Sequence, residues 1–290
     1  MNNSVKFESV SFGERLGSML KVDFRRMLRS RLFYIIVACA LLIPIVMTVM
    51  LCMMDGQVSV DPQTGKETVM EGPESVWQSI GTLPTAPDAN EAPATNDSAD
   101  AMGGMAAMGG DMDVMAMCNI NMMFMGVAVF ICLFISEDFR SGYAKNIFTV
   151  RAKKGDYVIS KTVTGFVCGA IMLIMYFIGS VLGGAISGLP FDMVGDMSVA
   201  SVAMCMIAKV FLMLVFVPIF VCVSVAAKQK AWLALCGSLG AGMLLFMMVG
   251  MITPLNSTFV HVALTVAGGA MFSFGLGAIS KVVLKKTHLI

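Results

Sequence analysis

Few side chains in this chain stand where they could do chemistry, and the first is Lys209, charged within a long apolar block. A lysine at the centre of a membrane helix costs about 2.5–3.5 kcal/mol on insertion scales. It is expected either to line a polar path and meet an anionic cargo, or to lie near a span's start and snorkel outward. The two histidines, His261 and His288, are far apart and lack the neighbours that a metal site or an activated nucleophile needs. Eight cysteines form no C-x-x-C pair and fall nearly all in apolar blocks, where they read as small packing residues. The string QTGKET, residues 63–68, lacks the upstream glycine and the hydroxyl after lysine that a phosphate-cradling loop requires. No catalytic or metal site is expected, and any ATP must be handled by another chain. Nine methionines between 102 and 125, including Met102, Met105, Met108 and Met112, offer soft sulfur that suits monovalent copper. A chain with 29 methionines explains much of that cluster by composition.

The elements that position these residues are membrane spans. The chain is 57% hydrophobic, 13% charged and has a mean hydropathy of +0.82 over 290 residues, with about half the charge of ordinary soluble domains. That balance excludes a secreted, nucleic-acid-binding or soluble enzymatic protein. Six blocks reach the roughly 20 apolar residues a bilayer crossing needs: 32–54, 115–136, 162–188, 199–227, 231–252 and 258–284. The first has too long a leader and too long an apolar run for a cleavable signal. Of the 20 Lys and Arg, 18 fall in the leader, the 137–161 connection, Lys228 and Lys230, and the tail. The positive-inside rule then puts both termini in the cytoplasm. The expected fold class is an all-α integral membrane protein with six transmembrane helices.

Three segments outside the spans are informative. Within the 1–31 leader, Phe12, Leu16, Met19, Leu20, Phe24, Met27 and Leu28 recur at spacings of three and four, while Arg15, Arg25, Arg26 and Arg29 lie largely elsewhere. This predicts a basic amphipathic helix lying at the inner interface. The outer loop, 55–114, carries eleven acidic residues against Lys66, and its second half is too rich in Pro, Gly, Ala and small polar residues to bury a core. Disorder is expected around 81–110, with Val76 and Trp77 anchoring a short element at the surface. The cytoplasmic connection, 137–161, is predicted to hold a short helix with Phe139, Tyr143, Ile147 and Phe148 on one face, followed by a basic turn. Asp156 is expected to cap the next helix. Pro44 and Pro218 predict kinks, and the pairs Gly165/Gly169, Gly179/Gly183 and Gly184/Gly188 predict close helix approach.

Taken together, the interfacial helix, the 32–290 six-span domain and the helix between spans two and three resemble type-2 ABC transporter permeases. The stretch FISEDFRSGYAKNIFTVRAKKGDYVISK, residues 134–161, is similar to the Gram-positive bacitracin and lantibiotic-export branch. There an acidic residue, a Gly-containing turn, a Lys-Asn pair and a later Tyr-x-x-Ser-Lys recur. The outer loop is longer than the first outer loop of that branch.

The resemblance implies a permease subunit of an ATP-driven exporter in the bacterial cytoplasmic membrane, moving a peptide, lipid or drug-like amphiphile. Two permease subunits, identical or homologous, would share one path, with two ATPase subunits supplying ATP and Mg chemistry and no cofactor in this chain. It places Glu137, Asp138, Phe139, Arg140, Tyr143, Lys145 and Asn146 in a coupling helix that contacts the ATPase. The alternatives are a copper-related, Met-rich transport protein and a membrane sensor or scaffold using the outer loop.

Overall fold

The computed structural model describes residues 11–56, 58–60, 67–69, 73, 75–79, 120–150, 154–192, 198–228, 230–254 and 257–286. The methionines from Met102 to Met117, Cys118, most of the outer loop, the basic turn at 151–153 and His288 lie outside them.

The described chain is dominated by eight helices: α1 (Phe12–Arg29), α2 (Arg31–Met54), α3 (Met123–Arg140), α4 (Tyr143–Val150), α5 (Lys154–Ser187), α6 (Val199–Ala227), α7 (Ala231–Ile252) and α8 (Phe259–Lys286). A small antiparallel pair, β1 (Val58–Val60) and β2 (Glu67–Val69), follows α2 with Ser59 opposite Thr68. Five helical segments are long and apolar enough to cross a membrane: 31–54, 120–140, 154–187, 199–227 and 259–284. The apolar run described in α7, Ala231–Phe246, is shorter.

Local chemistry sets the helix ends. Ser11 and Glu14 cap α1 reciprocally: the Ser11 hydroxyl accepts from the Glu14 amide, and the Glu14 carboxylate accepts from the Ser11 amide. Ser198 and Ser201 do the same for α6. At the end of α5, Gly188 takes φ +72°. The Leu189 amide then donates to the Gly184 carbonyl at 3.0 Å, which closes the helix in a Schellman turn. The loop beyond it receives the segment that follows β2. The Val76 amide donates to the Pro190 carbonyl, and the Trp77 indole donates to the Phe191 carbonyl at 3.1 Å. Trp77 also meets Phe191 edge-to-face.

Two boundaries differ from the sequence expectation. The second apolar helix runs to Arg140 instead of ending near 136, because Ile135 and Phe139 stay on its buried face. The third begins at Lys154, eight residues before 162. Asp156 therefore lies inside its first turn and is not the N-cap. Its carboxylate still suits the positive helix end and pairs with Arg15 at 3.2 Å.

The core forms where α3, α5 and α6 meet, through Phe124, Val127, Phe130, Ile131, Met213 and Phe216. α2 packs along α5, α8 along α6, and α7 against α3 and α6. α2 and α8 leave most of their apolar surface uncovered within the chain, which is the pattern of helices bathed in hydrocarbon. The small residues serve these crossings. A Cβ on Gly165 would meet Ile131 and Val217, one on Gly169 would meet Met213 and Val127, and one on Gly179 would meet the Leu41 carbonyl of α2.

Candidate functional site

Where α1, the end of α3, α4 and the start of α5 converge, the apolar packing gives way to charge. Asp138 is fully buried one turn before the positive-φ Gly142 (φ +74°) that separates α3 from α4. Two cations reach it: Lys161 Nζ lies 2.6 Å from one carboxylate oxygen and Arg26 Nη1 lies 2.6 Å from the other. The Tyr157 hydroxyl donates to Asp138 at 3.0 Å. Lys161 turns equally to Asp23, 2.7 Å away, which also accepts from the Ser160 hydroxyl at 2.6 Å. Two carboxylates thus face two cations. The cluster is formally neutral, and Asp23, Asp138 and Lys161 are all buried.

Aromatic rings close this cluster. The Arg26 guanidinium lies 4.0 Å from the Tyr143 ring centroid, and the Lys161 ammonium lies 4.3 Å from that of Phe134. Phe139 and Phe148 both meet Tyr157 edge-to-face. Burial works against the Arg26 charge, yet Asp138 more than offsets it, and the net shift of the guanidinium pKa is upward. Burial, followed by the nearby Asp23 charge, raises the Tyr143 phenol.

The seven residues expected in one coupling helix divide between two. Glu137, Asp138, Phe139 and Arg140 form the last turn of α3, whereas Tyr143, Lys145 and Asn146 lie on α4. Glu137, Arg140, Lys145 and Asn146 are exposed, while Asp138 and Phe139 are buried and Tyr143 is half-buried. The inward set packs against α1 and α5; the outward set leaves a polar surface. Asp23, Arg26 and Lys161 were not among the expected site residues. The signal for Asp23 is its place at four-residue spacing between Met19 and Met27, a carboxylate inside an apolar stripe, where burial requires a cation.

Lys209 belongs to a second polar cluster, toward the other end of the bundle. It is fully buried, so its amine does not snorkel to the surface. It donates to Asn121 Oδ1 at 2.6 Å and to Thr253 Oγ1 at 3.1 Å. Thr253 caps the end of α7, where the helix carbonyls carry partial negative charge. Cys205 Sγ donates to the Thr253 carbonyl at 3.5 Å. Lys209 therefore ties α6 to the entry of α3 and the exit of α7. Among the described residues, no carboxylate lies within 4.0 Å of it. The seven described cysteines are free thiols, and no group of three His, Cys, Asp or Glu among the described residues could hold a metal.

A family model for an ABC-2 family transporter protein matches residues 94–239, half of the chain. This protein belongs to the ABC-2 transporter family. The matched region contains α3 to α6 and the start of α7, and with them Asp138, the α4 surface, Lys161 and Lys209. Asp23, Arg26 and Thr253 complete both clusters from outside it. Neither the curated proteins nor the solved structures provide a match. Membership makes this ABC-2 protein a multi-pass membrane permease of an ABC transporter, a transport component that works in lipid with an ATPase partner.

Proposed function

We propose that this permease is the membrane half of an exporter for a peptide, lipid or drug-like amphiphile, resembling the bacitracin and lantibiotic-export branch. Two permease subunits and two separate ATPase subunits form the working unit in the bacterial cytoplasmic membrane. Six crossings, with α7 the fifth, keep both termini inside. The observation that carries this reading is the pairing of an exposed polar face on α4 and the end of α3 with a buried ionic cluster directly behind it. Glu137, Arg140, Lys145 and Asn146 contact the ATPase. Asp138, Phe139 and Tyr143 pass its displacement through the cluster into α1, α3 and α5, as a rigid body joined by short ion pairs would.

Co-expression with a lone ABC ATPase tests it. The two chains should co-purify, and ATP turnover should require the ATPase. Changing Lys145 to Glu and Arg140 to Glu should weaken the assembly by about 30-fold, as loss of about 2 kcal/mol at an interface hot spot does, at normal membrane levels. Robust ATP turnover by the permease alone, or undiminished assembly by the double variant, contradicts the reading.

Lys209 is assigned to the cargo path. Replacing it with Met keeps the volume and removes the burden of desolvating an amine, but takes a donor from the Asn121 carbonyl, so thermal stability should fall by about 1–3 kcal/mol. Cargo-stimulated turnover should fall at least several-fold. If turnover stays at the wild-type level in a folded Lys209→Met protein, the residue is a structural tie and not part of the path.

A further inference from the structure

The outer face of α1 carries a feature the coupling role does not use. Lys21, Arg25 and Arg29 recur every four residues and, with Phe24 and Leu28, line an open groove of about 680 Å³. All three cations are exposed, and none has a carboxylate within 4.0 Å among the described residues. Leu28 is 50% exposed beside them. The groove therefore sets an apolar strip against a row of positive charge, without a carboxylate partner among the described residues, roughly 12 Å long.

Its position defines what meets it. Ser30 alone separates α1 from α2, the apolar helix whose surface is largely uncovered by protein. The groove thus lies at the level where hydrocarbon begins. A soluble anion would satisfy the cations and leave Phe24 and Leu28 in water. A phospholipid with a net negative headgroup satisfies both halves, phosphate against Lys21, Arg25 and Arg29, and glycerol and upper acyl chain against Phe24 and Leu28.

We infer that this groove is a binding site for an anionic phospholipid. The assignment of that lipid to the inner leaflet rests on the topology proposed above; the headgroup preference does not. The opposite face of α1 delivers Asp23 and Arg26 to the buried cluster. Headgroup occupancy therefore biases the position of α1 against α3 and α5, and couples lipid composition to the site behind α4.

The test uses the purified full chain in neutral detergent, without ATPase or ATP, so its outcome is independent of the export reading. Fluorescent phosphatidylglycerol and fluorescent phosphatidylcholine are titrated separately. Wild type should prefer phosphatidylglycerol by at least ten-fold, since each basic residue near an anionic headgroup contributes roughly five-fold. The triple variant Lys21→Gln, Arg25→Gln, Arg29→Gln should lose the preference while keeping its elution profile. Should the variant misfold, wild type alone decides. At about 1 M salt, where the Debye length is about 3 Å, its preference should collapse. Equal binding of the two lipids by wild type, a preference that survives the triple variant or high salt, or equal displacement by inorganic phosphate overturns the inference.

Discussion

Replacing Lys161 with methionine should be among the most damaging single changes in the chain. Lys161 lies 2.7 Å from Asp23 and 2.6 Å from Asp138, and all three side chains are buried. Methionine fills the volume but, among the described residues, leaves two carboxylates with one cation, Arg26, which pairs with Asp138. Asp23 would retain the Ser160 hydroxyl as its hydrogen-bond donor and no counter-charge. An unpaired buried charge typically costs about 3–5 kcal/mol, a large part of the stability of any domain. The thermal midpoint of the purified permease should drop accordingly, and ATPase stimulation should fall with it.

The informative comparison is the double variant Asp23→Asn, Lys161→Met. It restores a neutral cluster, Arg26 with Asp138, and should recover most of the lost stability although it removes a second native group. The departure from additivity measures the ion pair itself. If the double variant is as unstable as the sum of the two singles, the charges are not coupled and the cluster is not the joint proposed here.

That cluster also marks where reading the residues in order reaches its limit. The apolar blocks 199–227 and 231–252 coincide with α6 and α7, since a stretch poor in charge has one stable form in a bilayer. The break at Gly142 was not legible: Glu137 to Asn146 were expected on one coupling helix, and the glycine-containing turn entered only as a feature of the resembled branch. The chain divides there because Ile135 and Phe139 extend α3 by packing against groups distant in sequence. Lys161 looked like one more inward-side charge among many. Its pairing with Asp23 spans 138 residues, and no local pattern encodes that distance. Lys209 shows the same limit in reverse. Its neutral partners Asn121 and Thr253 belong to the ends of two other helices, so sequence spacing could raise the snorkelling and inward readings but not choose between them.

Helix contact supplies a second expected result of comparable size, and it ranks the glycines. A Cβ on Gly179 would press on the Leu41 carbonyl of α2 and, at 2.6 Å, on Pro44 Cγ. Neither group can rotate away: one is backbone and the other is a ring within the same helix. Overpacking of this kind costs about 1–3 kcal/mol, occasionally more, and a larger side chain must separate α2 from α5. Gly179→Leu should therefore strip α2 from the bundle, seen as aggregation on size exclusion and loss of the folded transporter. Gly184→Ala should be milder, because its Cβ meets the Val76 side chain at the tethered outer segment. Gly169→Ala should be milder again, since Met213 Sδ at 3.0 Å belongs to a flexible chain that can shift. Gly275→Ala, with nothing within 4 Å, should be neutral. Thermal midpoints of the four variants in one detergent test the order. A Gly179→Leu protein as stable as Gly275→Ala would mean that α2 does not cross α5 at that point.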